Sequence, residues 1–291
     1  MKPILAILLL IAASVAYPQA QTGAQTTTPA PAQIPEDDSS RKAHAIIDQA
    51  IAALGGPAYL NLTSKFEQGR SFSFYHGRSS SGGIRFANFT KYPDKQRFEV
   101  LSNKDYHFLI FDVGGVEAKD KSDIVIIHNG DKGYEITYKG TAFEDPLDTA
   151  AFLRRREHSL EAVLRRWLRE PGTALFYDGV NATDGKPALK ITVMNAHNDA
   201  VVLYLDQTTY LPIKKTFTWR DPNDKVRNLE EESYDGYKPV QGIMTPHAVT
   251  RYYNGDMSNQ RLLNAVSYGQ EMPDAFFQAS ATYNPKAPLK R

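Results

Sequence analysis

The stretch that decides the fold is residues 186–219, KPALKITVMNAHNDAVVLYLDQTTYLPIKKTFTW. Apolar side chains recur at every second position in three runs, which the short polar segments 195–199 and 207–210 separate. A period of two is typical of strands that bury one face, and short polar segments between such strands are typical of hairpin turns. The pattern therefore predicts a three-stranded antiparallel meander with the inward positions Leu189, Ile191, Val193, Val201, Leu203, Leu205, Ile213, Lys215, Phe217 and Trp219.

Runs of similar spacing on both sides of the meander predict one large antiparallel sheet. The strongest hairpin signal is the NGDK segment at 129–132, because Asn-Gly favours a tight turn between two strands. A sheet of this length must curl or be covered in order to bury its apolar face. Further strands are predicted at residues 64–76, 84–92, 97–101, 106–113, 123–128, 133–138, 226–237, 243–253 and 260–268.

The first 41 residues carry no pattern of a folded domain. Lys2 and the apolar run 4–16 predict a secretory signal peptide over residues 1–20, with an uncleaved anchor as the alternative. The run is shorter than the ~20 apolar residues that a membrane-spanning helix needs. Residues 21–41 are rich in Thr, Pro, Ala and Gln and predict a disordered tether. We therefore expect an exported protein with a single domain over residues 42–280 and a C-terminal tail over 281–291.

Composition excludes several classes of function. The chain has no cysteine, so it has no disulfide, no acylated cysteine and no thiolate metal site. Its 34 basic and 33 acidic residues nearly balance, which gives no indication of a nucleic-acid partner. The seven histidines form no helical metal-binding pair, and G-x-S-x-G is absent. We expect no cofactor, no metal and no enzyme activity, although a Ser-His-Asp triad assembled by the fold stays open, because its members need not be close in sequence.

Two segments have helical rather than strand periodicity. The first runs from Ala43 to Leu54, with Ser39 or Ser40 as its predicted cap and two glycines at its end. The second is inserted between strands and carries a stripe at i, i+3, i+4, i+7 and i+8. Two interpretations of this second helix stay open, a fixed plug on the sheet and a movable lid. Its apolar stripe is Leu160, Val163, Leu164, Trp167 and Leu168, and its charged face is Arg155, Arg156, Glu161, Arg165, Arg166 and Arg169.

Several motifs occur in the same order as in a known family. Pro93 and Arg97 lie at the places where the family has a Pro turn followed by a strand with an arginine. Over most of residues 43–278 the chain resembles the periplasmic outer-membrane lipoprotein carriers, the LolA/LolB-like fold. The resemblance implies a mainly β fold, a curled antiparallel sheet that forms an unclosed β-barrel of about eleven strands, covered by an N-terminal helix and an inserted helical lid. The matching stretches are IRFANFTKYPDKQRFEV (84–100), VIIHNGDKGYEITY (125–138), VVLYLDQTTYLPIK (201–214), VQGIMTP (240–246) and MPDAF (272–276).

The resemblance also implies a function. It implies a monomeric periplasmic carrier or chaperone that holds the acyl chain of a lipid or lipoprotein in an apolar cavity between sheet and lid. Each methylene sheltered from water contributes ~0.8 kcal/mol, so one long chain binds without polar contacts. An ordinary core role is the alternative for each candidate ligand-binding residue. The candidates are Phe72, Phe74, Phe86, Phe108, Ile110, Leu164, Trp167, Leu168, Leu203 and Phe217.

One position departs from the family. The carriers place an arginine immediately before the proline that corresponds to Pro93, where it helps to latch the lid, and this chain has Tyr92 there. The cavity therefore carries over from the resemblance more readily than the shuttle mechanism does. Two other functions stay open, an envelope sensor or adaptor that binds a protein partner, and a hydrolase. A histidine hydrogen-bonded to a serine or carboxylate in a cleft would favour the hydrolase.

Overall fold

The computed structural model describes residues 37–80, 82–100, 118–183 and 185–286. All of these residues belong to one compact unit. The predicted signal peptide and most of the predicted tether lie outside the described residues. So does the predicted strand over 106–113, and with it the candidates Phe108 and Ile110.

Four α-helices and two 3-10 turns lie in the described part of the chain. One pair of helices precedes the sheet, and the other pair is inserted between strands. None of these helices is long and apolar enough to span a bilayer. The helices are α1 (Asp38–Leu54), α2 (Pro57–Leu60), α3 (Pro146–Glu157) and α4 (Leu160–Arg165), and the 3-10 turns are Trp167–Arg169 and Asp274–Phe277.

Strands make up most of the remaining described chain. They are β1 (Ser64–Tyr75), β2 (Arg78–Ser79), β3 (Ile84–Lys91), β4 (Lys95–Val100), β5 (Ile124–Asn129), β6 (Lys132–Thr137), β7 (Gly140–Phe143), β8 (Ala174–Thr183), β9 (Lys186–Met194), β10 (Ala200–Asp206), β11 (Pro212–Arg220), β12 (Arg227–Asp235), β13 (Lys238–Val240), β14 (Ile243–Thr245), β15 (Ala248–Tyr253) and β16 (Asp256–Tyr268).

One antiparallel sheet contains fourteen of these strands. Its order is β7-β6-β5-β4-β3-β1-β16-β15-β12-β11-β10-β9-β8, with β2 paired to β1, while β13 and β14 form a separate hairpin. The edge strands β7 and β8 do not pair with each other, so the sheet is not closed. The prediction of a mainly β protein with an unclosed antiparallel sheet is confirmed, with fourteen strands where the resemblance implied about eleven.

The sheet curls around the inserted helices. Arg156 at the end of α3 donates a 2.8 Å hydrogen bond to the carbonyl oxygen of Gly130, in the turn between β5 and β6. Two residues later, the carbonyl oxygen of His158 accepts a 2.8 Å hydrogen bond from Lys215 on β11. In a flat sheet of this order, β5 and β11 would lie seven strand spacings apart, about 34 Å at ~4.8 Å each. One helix end contacts both regions because the sheet bends around it.

The domain extends beyond both predicted limits. Asp37 is the N-cap of α1, because its side chain accepts a hydrogen bond from the N–H of Ser40, so the predicted cap at Ser39 or Ser40 is wrong. Residues 38–41, assigned to the tether, are helical. At the other end, the N–H of Thr282 donates a 2.7 Å hydrogen bond to the carbonyl oxygen of Thr141 on β7.

The apolar face of the meander packs against α1 and α4. Ile191, Leu203 and Phe217 share this face and belong to one buried cluster with Ile47 of α1 and with Trp167. Burial of apolar surface contributes about 25 cal/mol per Å², so this cluster is the main apolar contribution to stability on this side. We call this side of the sheet the inner face.

A second buried cluster covers the opposite side, which we call the outer face. The 3-10 turn Asp274–Phe277 places Phe276 edge-on against Phe89, with ring centroids 4.9 Å apart. Beneath it, Arg97 donates a 2.6 Å hydrogen bond to Glu99 and a 3.1 Å hydrogen bond to the carbonyl oxygen of Phe276. The C-terminal segment is therefore part of the packed fold.

The inserted segment is broken into separate helices. The side chain of Ser159 accepts a 3.1 Å hydrogen bond from the N–H of Ala162 and so begins α4. A serine N-cap starts a new helix because it satisfies a donor that would otherwise bond to the preceding turn. The apolar stripe lies on α4 and the 3-10 turn that follows, whereas α3 has no fully buried residue.

Candidate ligand cavity

A cavity of about 740 Å³ lies on the inner face, beside the apolar core. Strands β1, β3, β4, β5, β12, β15 and β16 contribute to its walls, together with α3 and α4. Apolar side chains such as Phe98, Ile126 and Leu263 alternate there with charged ones. The cavity is therefore amphipathic rather than uniformly apolar.

A row of polar side chains crosses the inner face at one end of the cavity. Lys215, Glu232, Arg251, Asn259 and Ser73 lie directly opposite one another on five neighbouring strands. Glu232 lies 3.2 Å from Lys215 Nζ and accepts a 2.6 Å hydrogen bond from Arg251 Nε. Burial alone would raise the pKa of Glu232, but Lys215 and Arg251 outweigh burial and hold that pKa well below its usual value. One ionised carboxylate thus serves two cations.

A β-bulge decides that Arg261 also faces the cavity. Gly69 on β1 lies opposite Leu263, whereas Gln68 lies opposite Ala265, so Asn264 is the extra residue on β16. Because side chains alternate along a strand, an extra residue exchanges the two faces beyond it. Arg261, opposite Ser71, consequently shares the inner face with Tyr268, which lies beyond the bulge opposite Lys65.

Arg261 has few partners for its charge. Its Nε is buried and has no hydrogen-bond partner among the described residues. Its guanidinium lies 5.3 Å from the ring centroid of Phe86 and 5.1 Å from that of Phe98, and these two rings are stacked. Burial, together with the nearby cations Arg251 and Arg155, lowers the pKa of Arg261 to about 10, although Glu67 and Glu232 act in the opposite direction.

Arg155 reaches the same cavity from α3. It also lines a smaller cavity of about 320 Å³ that adjoins the polar row. Its neighbour Arg154 forms a 3.1 Å ion pair with Glu230, while no described carboxylate lies within ion-pair distance of Arg155 itself. Burial, followed by the positive charge of Arg251, lowers the pKa of Arg155.

Paired charges line the other end of the cavity. Lys65 Nζ lies 2.9 Å from Glu67 and 3.4 Å from Glu161, and Asn88 donates a 2.8 Å hydrogen bond to Glu67. Burial alone would lower the pKa of Lys65, but Glu67, Tyr92 and Glu161 outweigh it and raise that pKa. Each of these charged side chains has an ion-pair partner of opposite sign, in contrast to Arg155 and Arg261.

Arginines on the inserted helices bond these helices to backbone carbonyl groups around the cavity. Arg156 donates hydrogen bonds to the carbonyl oxygens of Asp94 and Gly130, at 3.0 and 2.8 Å. Arg165 donates to the carbonyl oxygens of Leu60, at 3.1 Å, and Leu62, and its guanidinium lies 4.4 Å from the ring centroid of Tyr92. Tyr92, which stands where the carriers have an arginine, thus contacts Arg165 of α4 through its ring.

His128 and Glu144 form a hydrogen-bonded pair at the cavity wall. His128 Nε2 lies 2.8 Å from Glu144 Oε2, which also accepts a 2.7 Å hydrogen bond from Thr149 of α3. The imidazole stacks on Phe152, with ring centroids 3.5 Å apart. The pair is the histidine–carboxylate contact in a cleft that would favour the hydrolase. No described hydroxyl is hydrogen-bonded to the other imidazole nitrogen, so the described residues assemble no complete triad around it.

Five predicted cavity residues lie in or against the packed inner core. Leu164, Trp167, Leu203 and Phe217 are buried members of the cluster that includes α1, and Leu168 packs against it. Phe217 also lines the smaller cavity, next to the polar row. This part of the inner face is filled by helix side chains rather than by open space.

The other predicted residues lie elsewhere. Phe86 is fully buried on the inner face and stacks on Phe98, which lines the large cavity. Phe72 and Phe74 are partly buried and belong by alternation to the outer face of β1. Phe108 and Ile110 lie outside the described residues.

The sequence did not single out Arg251 and Arg261, and placed Arg155 only on a charged helix face. A signal for Arg251 is present, because it alternates with Val249 and Tyr253 along one strand. A charged residue on the apolar parity of a strand indicates a buried polar network, as it does for Lys215 between Ile213 and Phe217. In the described part of the chain, no three His, Asp or Glu side chains converge to hold a metal ion.

Comparison with solved structures shows what the fold is similar to. A DUF1329 family protein from Desulfovibrio piger has a TM-score of 0.51 and 11% identity, over 81% of this chain and 97% of that chain. A putative outer membrane lipoprotein-sorting protein domain from Vibrio parahaemolyticus has a TM-score of 0.48 and 10% identity, over 82% and 97%. A LolA superfamily protein from Nitrosomonas europaea has a TM-score of 0.47 and 10% identity, over 81% and 97%.

No family model and no curated protein matches the sequence. Solved structures of the LolA superfamily and of lipoprotein-sorting domains are among the matches. At these identities the likeness is one of fold.

Proposed function

We propose that this chain is an exported periplasmic carrier that holds the acyl chain of a lipid or lipidated protein in the inner-face cavity. The carrier acts as a monomer and performs no covalent chemistry on its ligand. The observation that supports this most directly is the cavity itself, about 740 Å³ between the curled sheet and the inserted helices. Small-molecule sites in proteins occupy about 300–1,000 Å³.

The lining suits an amphiphile. Phe98 and Ile126 lie opposite each other on β4 and β5, and Leu263 adds a third apolar side chain. Burial of an acyl chain against such side chains contributes ~0.8 kcal/mol per methylene, so a chain of ordinary length supplies most of the affinity. The charged side chains at both ends of the cavity provide contacts for a polar group.

The test is native mass spectrometry with lipid extraction on the mature protein purified from the periplasm. We expect a monomer mass with an acyl species bound, and we expect the delipidated protein to bind a fluorescent fatty acid. A protein that carries no lipid and does not bind the probe would contradict the proposal and favour the envelope adaptor, for which a pull-down of envelope proteins is the direct assay.

A matched pair of variants localises the site. Ile126→Trp fills the cavity with a larger side chain, so we expect probe binding to weaken by about tenfold or more. Ile124→Trp is the control, because Ile124 lies on the same strand but is exposed. Equal probe binding by the two variants would place the ligand outside this cavity.

A further inference from the structure

We propose that Arg261 and Arg155 form an anion-binding site in the large cavity, which takes the negatively charged head group of an amphiphile. This inference rests on the proposed carrier function and specifies the class of ligand. The head group is a carboxylate or a phosphate, since both accept several hydrogen bonds from a guanidinium. The acyl chain lies against the apolar wall of the same cavity.

The first argument is an excess of positive charge. Lys215 and Arg251 share the single carboxylate of Glu232. Neither Arg155 nor Arg261 forms an ion pair with a carboxylate of the described residues. Arg155 and Arg261 are both partly buried, and cations held away from water are ordinarily paired because an uncompensated charge there is unfavourable. An anionic ligand supplies the missing compensation.

The nearby carboxylates are already engaged. Glu230 pairs with Arg154 at 3.1 Å, and Glu67 pairs with Lys65 at 2.9 Å. Arg251 is turned toward Glu232, to which its Nε donates at 2.6 Å. Among the described residues, no hydrogen bond or ion pair engages the guanidinium of Arg261 or that of Arg155.

The second argument is the orientation of Arg261. The stacked rings of Phe86 and Phe98 lie 5.3 and 5.1 Å from its guanidinium. Arginine on aromatic faces is held in place while its N–H groups stay free to donate in its plane. The Nε has no hydrogen-bond partner among the described residues, so these residues do not satisfy every donor of this guanidinium.

The third argument is the surface next to the cations. Val249 lies directly opposite Arg261 on β15, and Leu263 follows it on the same face of β16. Phe98 and Ile126 continue this apolar surface on the other side. A free inorganic anion gains no affinity from an apolar surface, whereas an amphiphile contacts the cations and the apolar surface together.

Calorimetric titration of the delipidated protein with four probes tests the inference. The probes are dodecanoate, dodecyl phosphate, dodecanol and inorganic phosphate, at one fixed ionic strength because salt screens charge. We expect both anionic amphiphiles to bind about tenfold or more tightly than dodecanol, since a charge-assisted hydrogen bond contributes that much. We expect inorganic phosphate to bind far more weakly.

Variants assign the preference to residues. Arg261→Met and Arg155→Met are expected to lower the ratio of anionic to neutral affinity toward one and to leave dodecanol binding within about twofold. Arg70→Met is the matched control, because Arg70 is exposed on the outer face of β1 and its variant should keep the full ratio. Far-ultraviolet circular dichroism verifies that each variant is folded.

Each other result has a defined meaning. Equal binding of dodecanol and the anionic amphiphiles, unchanged in the variants, would overturn the anion site and leave the carrier function standing. Binding of inorganic phosphate as tight as that of dodecyl phosphate would overturn the assignment to an amphiphile. Binding of none of the four probes would contradict the carrier function together with the anion site.

Discussion

The Nζ atom of Lys215 on β11 donates a 2.8 Å hydrogen bond to the carbonyl oxygen of His158, at the break between the two inserted helices. Lys215 is only 1% exposed, and its charge is compensated by Glu232 on the neighbouring strand. This one side chain therefore links the inserted helices to the sheet and belongs to the polar row that crosses the inner face.

Removal of the Lys215 ammonium should destabilise the protein strongly. Lys215→Met leaves the carbonyl oxygen of His158 without its donor and Glu232 with one cation instead of two. We expect the free energy of unfolding to fall by about 3 kcal/mol, as for other broken buried pairs. Urea unfolding measures this change.

Lys214→Met is the matched control for that substitution. Lys214 is the neighbouring residue on the same strand, but it points to the other face and pairs with Glu231 at 3.5 Å near the surface. Both side chains of this pair are partly exposed, so we expect its loss to cost less than that of the buried Lys215 pair, on the order of 1 kcal/mol. Equal losses in the two variants would contradict the role assigned to Lys215.

The pKa of His158 predicts a dependence of stability on pH. Burial lowers this pKa below its usual value, although the hydrogen bond to the carbonyl oxygen of Arg154 acts in the opposite direction. Between the folded and unfolded pKa values the unfolded chain binds more protons, so the free energy of unfolding falls as pH decreases below about 6.5 and levels off below the folded pKa.

Chemical unfolding at pH 7.5 and pH 5.5 measures this contribution. We expect His158→Gln to lose less stability between the two pH values than the wild type does, because glutamine does not titrate. His44→Gln is the control, since His44 is exposed on α1. A wild type and a His158→Gln variant with the same pH dependence would show that His158 does not contribute.

Gly69 is required by the bulge that turns Arg261 toward the cavity. A Cβ at this position would lie 2.1 Å from the carbonyl oxygen of Leu262, which is backbone and cannot move aside cheaply. We expect Gly69→Ala to lower the free energy of unfolding by about 2–4 kcal/mol. In Gly82→Ala the added Cβ has no neighbour within 4 Å, so the change should stay within about 0.5 kcal/mol. Similar values for the two variants would contradict this account.

Arg261 should lower the stability of the ligand-free protein. Its pKa, lowered to about 10 by burial and by nearby cations, shows that the charged form is less favourable in the folded chain than in water. We expect Arg261→Met to raise the free energy of unfolding by on the order of 1–2 kcal/mol without ligand. A loss of stability in this variant, measured by urea unfolding of the delipidated protein, would mean that the guanidinium is already compensated.

Local patterns in the sequence were sufficient for most of the elements, but the prediction lacked the edge strands β7 and β8 and joined β14 and β15 into one strand. The meander over 186–219 folds as β9, β10 and β11, because alternation along a strand reports which face is buried. The stripe from Leu160 to Trp167 likewise lies on α4 and the turn after it, facing the core. The unclosed antiparallel sheet follows from many such strands joined by short turns.

The cavity could not be predicted in the same way. Phe72 and Phe86 were grouped as one apolar lining, yet they lie on opposite faces, and periodicity alone does not say which face is inner. The inserted segment was predicted as one helix, but it is divided at Ser159, where α4 begins. The arginines of the inserted segment were placed on a charged face, and the curl of the sheet turns several of them into the cavity.

The sequence by itself therefore determined most of the strands, the amphipathic helices and the mainly β class, since each depends on the spacing of residues a few positions apart. Tertiary structure alone decided that Lys215, Glu232, Arg251, Arg155 and Arg261 meet at one end of a cavity. Their meeting depends on cross-strand register, on one extra residue opposite Gly69 and on the bending of the sheet around α3. These are relations between residues far apart in the chain, which periodicity does not encode.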